Sequence, residues 1–267
     1  MKTRFAAVVL AGERPGGSDF SRELGLAASV LVDVAGKSAL ARVIEALEAS
    51  ESVESGVLCG PTENVYRENP EFQQILKGSS FRWMAPEMGP SASALAGIEK
   101  LNSFPTLLTT GDHALLTAGL VDDFCARVLE LEVDVVFGLA PYSIVRAAFP
   151  ETKRTVLKFS DGQFCGTNLF AILRPEGKAA PAFWSRVEAD RKRPWRMVRR
   201  MGLGTGLGML FRYLTGRLTL DSVLDSLSRV MGCRVGCILI DQPRVAVDVD
   251  SLADRDLAEK ILLNDRL

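Results

Sequence analysis

Histidine is almost missing from this chain: His113 is the single copy in 267 residues. Zinc sites draw mainly on histidine and cysteine, so a zinc centre has little to work with. The five cysteines, Cys59, Cys125, Cys165, Cys233 and Cys237, include no Cys-x-x-Cys pair. Cys233 and Cys237 stand four apart in a strand-like run, roughly 13 Å at about 3.3 Å per residue. That is beyond disulfide reach within one straight strand. Reduced cytosolic thiols suit this pattern. No apolar run is long enough to span a bilayer. Met1-Lys2-Thr3-Arg4-Phe5 runs straight into a strand without a signal-peptide pattern, so the expected location is the cytoplasm. A charge excess is missing too. The net charge of −1 excludes a generally basic nucleic-acid binder and leaves any basic feature local.

What is present is a large core. With 47% hydrophobic residues, the chain suits one large α/β domain, or a domain with an appended subdomain. Phe5 to Ala11 is a continuous apolar run, as a central parallel strand requires. Gly12-Glu13-Arg14-Pro15-Gly16-Gly17 then reads as a loop. Its glycines let backbone amides approach a ligand, and Arg14 favours phosphate; a simple turn is the plainer alternative. A helix is expected over Ala39 to Ala49, a strand over Val53 to Cys59, a helix over Pro70 to Leu76 and a strand over Phe81 to Met84. Gly89-Pro90-Ser91-Ala92-Ser93 opens a helix of small residues. Its amides and the Ser91 and Ser93 hydroxyls suit a nucleoside, although small residues also suit close helix packing.

The stretch that organises the rest is Phe104 to His113, an apolar, β-branched run ending in Gly111-Asp112. It suits a buried strand. In open α/β sheets ligands bind beyond the carboxyl ends of the strands, which puts Asp112 at the mouth of a cleft. A carboxylate there can hold Mg²⁺ together with substrate phosphates, or it can cap the helix that begins near Thr117. A helix over Leu120 to Leu131 and a strand over Asp134 to Leu139 follow. Ala147 to Phe159 reads as irregular. Cys165 to Ile172 reads as a strand, with Asn168 near its start either as an acceptor-site donor or as a turn residue. The alternation predicts helices on both faces of a mainly parallel sheet.

From Phe183 to Leu218 arginines interleave with Trp184, Trp195 and other apolar residues, and acids are nearly absent. Such a segment can lie on an anionic membrane surface, bind phosphorylated substrates, or pack as a helical insertion with a solvated face. Gly202, Gly204, Gly206 and Gly208 break it into two or three expected short helices. A helix over Leu220 to Met231 and a strand over Arg234 to Ile240 come next. Val245 to Ser251 is expected to be a strand, in which Asp248 and Asp250 share a face. A final helix runs over Leu252 to Leu263.

Four elements, in order, carry a resemblance to the MobA-like nucleotidyltransferase family. They are Val8-Val9-Leu10-Ala11-Gly12, Val34-Ala35-Gly36-Lys37-Ser38-Ala39-Leu40, Thr110-Gly111-Asp112, and Val247 to Asp254. The resemblance covers residues 4 to 173 and 233 to 263. It implies a Rossmann-like three-layer α/β/α fold of the GT-A kind, over a single domain 1–267 with a basic helical insertion at 176–231. It further implies transfer of an NMP from an NTP to a phosphorylated acceptor, with release of pyrophosphate.

On that resemblance Mg²⁺, or Mn²⁺ in its place, is held by Asp112, Asp248 and Asp250. Leu10, Ala11, Gly12, Glu13, Arg14, Gly16, Ser91, Ser93, Gly111 and Asn168 line the nucleotide and acceptor sites, and Asp112, Arg14 and Asp250 act in catalysis. The expected acceptor is a phosphorylated small molecule; a lipid headgroup, with peripheral contact at the inner membrane surface through residues 183–218, is an alternative raised by Trp195 and the arginines around it. Two departures stand out. Glu13 replaces a family glycine. Ser29 falls where the family places a lysine that contacts the α-phosphate, and no lysine lies between Lys2 and Lys37. A nucleotide-sensing module without efficient turnover is therefore a rival. A nucleotide-sugar glycosyltransferase is another, but it would need Asp-x-Asp at a mid-chain strand end, where Gly111-Asp112-His113 stands. A membrane-surface scaffold would not need three converging carboxylates.

Overall fold

The computed structural model describes residues 3–13, 17–189, 208, 212 and 215–265. Eight of its strands form one sheet. These are β1 (Phe5–Leu10), β4 (Val53–Cys59), β5 (Phe81–Met84), β6 (Thr106–Thr110), β7 (Val135–Pro141), β8 (Val156–Phe159), β9 (Gly162–Ile172) and β10 (Val235–Leu239). The order is β5-β4-β1-β6-β9-β7-β10, with β8 paired to β9. β5, β4, β1 and β6 run parallel, as do β7 and β10. β9 runs antiparallel to β6, β7 and β8. Two short strands, β2 (Asp33–Val34) and β3 (Lys37–Ser38), make a separate hairpin.

β1 is apolar throughout because both its faces are covered. Phe5, Ala7 and Val9 join the cluster containing Leu40, Val43, Leu47, Val121 and Phe124. Those residues come from α2 (Ala39–Glu48) and α6 (Ala118–Val128). Val8 faces the other way, into a cluster with Ile98, Ala180, Phe183 and Met231. These belong to α5 (Pro90–Leu101), α8 (Ala179–Ala189) and α9 (Leu220–Met231). The result is three layers, helices on both faces of a mainly parallel sheet, as the alternation predicted. In α2 the buried Leu40, Val43, Ile44 and Leu47 recur at helical spacing. Gly97 lets α5 lie against the sheet: a Cβ there would come within 2.8 Å of Val8 and 2.9 Å of Cys59.

Three expectations differ. Val245 to Ser251 is not a strand. Pro243–Ala246 forms a 3-10 turn, and the chain then crosses the end of the sheet without joining it. Its ladder-like N–H, that of Val249, goes to the carbonyl of Asp112 instead (3.0 Å). Alternation nevertheless survives, with Val247 and Val249 buried, Asp248 half-buried and Asp250 exposed. Ala147 to Phe159 is not wholly irregular: α7 (Tyr142–Ala148) runs into it and β8 ends it. Asn168 is not at a strand start but in the middle of β9, which begins at Gly162. There the register against β7 shifts, and Asn168 takes φ 52°, as a bulge allows. The short helices expected within 183–218 fall largely outside the described residues, as does Trp195.

Candidate active site

The carboxyl ends of four parallel strands are stitched together by the residues that follow β1, β4 and β6. Ala11 N–H donates to Cys59 O (2.9 Å), Gly111 N–H to Leu10 O (2.8 Å) and Gly60 N–H to Met84 O (3.0 Å). Leu10, Ala11 and Gly111, expected as nucleotide-site residues, thus build the floor of this edge with their backbones. Gly111 packs without a side chain against Leu40, Val30 and Ala11. Gly60, which carried no expectation, is essential to the floor, because a Cβ on it would stand 2.6 Å from both Ala11 C and Gly12 N. A Gly-Pro pair after a buried strand was the available signal.

Asp112 follows directly. Its side chain accepts a hydrogen bond from Thr110 Oγ1, and its carbonyl accepts from Ala114 N–H (2.9 Å) and Val249 N–H (3.0 Å). It does not cap α6, whose N-cap is Thr117, accepting from Leu120 N–H. Burial pushes the Asp112 carboxyl up to about 7, against the Thr110 hydrogen bond and with help from the charges of Asp250 and Asp248. Adjacent His113 is buried, and desolvation drives it down to about 4, so it is neutral at physiological pH.

The closing loop brings the other carboxylates to the same edge. Arg154, from the loop between α7 and β8, reaches across to it. Arg154 Nη1 donates to Asp248 Oδ1 (2.5 Å) and Nη2 to Asp254 Oδ1 (2.6 Å). Asn168 Nδ2 donates to Asp248 Oδ2 (3.4 Å). Asp254 lies in the first turn of α10 (Leu252–Asn264), where its N–H donates to the N-cap Ser251 Oγ (3.2 Å). Sequence reasoning left Arg154 without a role, since its partners lie 94 and 100 residues away.

Glu13, the acid in the expected phosphate loop, is turned into a brace. Oε1 accepts from Ser18 N–H (2.8 Å) and Ser21 Oγ (3.1 Å), and Oε2 from Ser29 N–H (2.6 Å). Burial alone would raise its carboxyl. The hydrogen bonds from Ser29, Ser18 and Ser21 outweigh that and hold it below its ordinary 4.5. The two departures from the family pattern, Glu13 and Ser29, are therefore in direct contact. Replacing Glu13 by Ala should cost about 1–2 kcal/mol. By linkage that contribution is present above pH 4.5 and is lost as the pH falls through the depressed value. Thermal melts of both proteins at pH 7 and pH 3.5 check this: the gap should shrink at the lower pH.

Of the remaining candidates, Ser93 is buried and its Oγ accepts from Glu87 N–H (2.8 Å), so it shapes the loop before α5. Ser91 and Gly89 stand at the start of that helix, with Gly89 at φ 149°. Arg14 and Gly16 lie outside the described residues. A model for the MobA-like NTP transferase domain matches residues 7–154, which hold the first loop, the Asp112 strand and Arg154.

The chain belongs to the MobA-like NTP transferase family.

Solved structures extend the match to nearly the whole chain. A hypothetical transferase of Thermus thermophilus is 27% identical over 95% of this chain and 100% of its own, with a TM-score of 0.77. CMP:2-keto-3-deoxy-manno-octonic acid synthetase in complex with CTP matches at 12% identity over 98% and 100%, TM-score 0.61. A 4-diphosphocytidyl-2C-methyl-D-erythritol synthase from Anaerococcus prevotii matches at 11% over 98% and 100%, TM-score 0.59. At those identities the last two carry the fold alone. A search of curated proteins returned no match.

The cation that the family implies, Mg²⁺, takes oxygen donors. Among the described residues no group of three or more His, Cys, Asp or Glu side chains is disposed to hold a metal. A closed protein cage is thus not on offer. Mg²⁺ does not need one: it commonly takes one or two carboxylates and completes its shell with water and substrate phosphates. A half-buried carboxylate burdened by Asp250 and Asp248 is the kind of group a cation relieves. The carboxylate chemistry at this edge is compatible with such a cation. Among the described residues no helix is long and apolar enough to cross a membrane.

Proposed function

We propose that this chain is a Mg²⁺-dependent nucleotidyltransferase that moves an NMP from an NTP to a phosphorylated acceptor and releases pyrophosphate. The observation that carries the reading is the hydrogen bond from Val249 N–H to Asp112 O. It joins the closing loop to the end of β6, so that carboxylates distant in sequence bear on one point within a transferase-family fold. Attack by an acceptor phosphate oxygen on the α-phosphorus needs in-line positioning and neutralisation of charge rather than covalent help. Bound Mg²⁺ would supply that neutralisation at the phosphates. Asp112 and Asp250 hold the cation at the strand ends. The loop after β1, shaped by Gly60 and braced through Glu13, cradles the triphosphate. The start of α5, with Ser91, faces the nucleoside. Asn168, on the β9 bulge, faces the acceptor.

The test is pyrophosphate release with each NTP, Mg²⁺ or Mn²⁺, and a panel of sugar, alditol and lipid-headgroup phosphates. Release should require one NTP and one acceptor. Asp250→Ala should lower it by at least about 10²-fold. Preference for a lipid headgroup, with binding to anionic vesicles in a flotation assay, would add membrane contact through residues 183–218.

A second reading is favoured by one observation, Ser29 in the place of the family lysine with its N–H committed to Glu13. It is a nucleotide-sensing module of the same fold. NTP binding by calorimetry without pyrophosphate release across the panel would select it.

A further inference from the structure

The Val34 to Leu40 element carries part of the family pattern, yet its hairpin takes no part in the proposed reaction. Residues 33 to 38 form the β2–β3 hairpin. Together with α2 and α4 (Pro70–Leu76), the hairpin walls an open cavity of about 640 Å³. That size falls within the range of small-molecule sites. The cavity shares no residue with the strand-end site. Its floor includes Ile44, which is buried, and Ile75, which is half-buried.

Ser38 also lines the cavity. It stands at the N-cap of α2, where serine usually accepts from a backbone N–H, but its side chain caps nothing. Ser38 is only 7% exposed, and its Oγ has no hydrogen-bond partner. A buried hydroxyl left unpaired is costly, and one that lines a cavity can be paired by what enters. The charge of the lining says what that is. Three carboxylates, Asp33, Glu45 and Glu71, stand against one ammonium, Lys37. Lys37 Nζ already donates to both oxygens of Glu45 (2.8 and 2.7 Å). The amino end of α2 adds about half a positive charge, which still leaves the lining negative.

We propose that this cavity is a second ligand site, for a small organic amine with two ammonium groups on a short hydrocarbon spine. Ser38 Oγ accepts from one ammonium, the spine lies on Ile44 and Ile75, and Asp33 and Glu71 balance the charge. The site is independent of the transferase reading.

Titration of the full chain with putrescine at neutral pH and low ionic strength, followed by heteronuclear NMR, tests this. Shifts should centre on Gly36, Lys37 and Gln74 and spare Gly12 and Gly111. Butanediol and succinate, of the same length but uncharged or oppositely charged, should not bind. Glu71→Gln should weaken putrescine about 3-fold, and Asp33→Asn with Glu71→Gln about 10-fold. Glu130→Gln, at an exposed carboxylate outside the cavity, should leave it unchanged. Ser38→Ala should weaken it about 5-fold. Because that hydroxyl is unpaired without ligand, the free variant should melt no lower than wild type. If Ser38→Ala does not fold, the exposed Glu71 and Glu130 positions decide. Equal losses in Glu71→Gln and Glu130→Gln mean diffuse attraction to acidic surface and overturn the site. Succinate binding as well as putrescine overturns it, as do shifts centred on the strand ends. No putrescine binding at millimolar concentration also overturns it and leaves the transferase reading untouched. A lower-melting Ser38→Ala with unchanged affinity gives the hydroxyl a partner inside the protein and overturns its role here.

Discussion

Asp112→Asn should make the metal-free protein more stable at pH 8 while destroying its function. The carboxyl ordinarily titrates at 3.8 and is pushed up to about 7, first by burial and then by the charges of Asp250 and Asp248. A group whose pKa is higher in the folded state contributes stability that is complete below its unfolded value. That contribution is lost as the pH rises through the folded value. For Asp112 the window runs from about pH 4 to about pH 7. At about 1.4 kcal/mol per pKa unit, the ceiling on the loss is about 4 kcal/mol. Relaxation and water entry reduce this, and about 2 kcal/mol is a reasonable working figure.

Asparagine keeps an acceptor for Thr110 Oγ1 and carries no charge. The variant should therefore melt about 4–8 °C higher at pH 8 and at nearly the same temperature as wild type at pH 4. Its NTP-dependent pyrophosphate release should fall by about 10³-fold. Equal melting temperatures at pH 8 would mean that Asp112 carries no electrostatic burden. Mg²⁺ added to wild type should recover part of the difference, since a ligand that binds only the folded state stabilises it, and should leave the variant unmoved.

The elements legible in the sequence are those whose apolar period is set by burial. β1, β4, β5 and α9 fall where runs of Phe5, Val53, Phe81 and Leu220 lead one to expect them, with ends correct to within a residue. β1 and β4 are largely buried in the core, so there pattern and structure share one cause. β8 escaped because none of Val156-Leu157-Lys158-Phe159 is buried, so burial imposes no apolar period on it. The Val245–Ser251 segment misled for a related reason. Val247 and Val249 alternate with acids as strand residues do, yet their partners are a hairpin-and-helix cluster and the Asp112 carbonyl rather than a neighbouring strand.

The candidate site was legible in outline only. Asp112, Asp248 and Asp250 could be picked out one by one, because a carboxylate after a buried run is an unusual placement. Their relation could not be read, since it depends on Arg154, on the αL bulge at Asn168 and on Gly60, and each of these acts across the fold. Glu13 shows the same limit. As a residue in a glycine-rich loop it reads as a misplaced charge, and only its contacts with Ser18, Ser21 and Ser29 make it a brace.

Gly60→Ala should be among the most damaging single-methyl changes in the molecule, and Gly78→Ala isolates the reason. Both glycines adopt left-handed backbone, φ 106° at Gly60 and φ 79° at Gly78. At Gly78 nothing lies within 4 Å of the added carbon, so only backbone strain is felt, about 1–2 kcal/mol. At Gly60 the same strain is joined by contacts of 2.6 Å to Ala11 C, 2.6 Å to Gly12 N and 2.7 Å to Ala11 O. These are backbone atoms, held by Ala11 N–H on Cys59 O and by the ladder of β1 on β4, so no side chain can swing aside. Overpacking of this kind adds about 1–3 kcal/mol.

The expected total is about 2–5 kcal/mol for Gly60→Ala, or a fall of roughly 4–20 °C in melting temperature, against about 2–8 °C for Gly78→Ala. The two should also differ in function. The peptide displaced at Gly60 is the Ala11–Gly12 link, the first segment of the proposed triphosphate loop. NTP affinity by calorimetry should therefore drop at least 10-fold in Gly60→Ala at a temperature where it is still folded, and stay unchanged in Gly78→Ala. Unchanged affinity in Gly60→Ala would separate that peptide from the nucleotide site and move the triphosphate elsewhere along the strand ends.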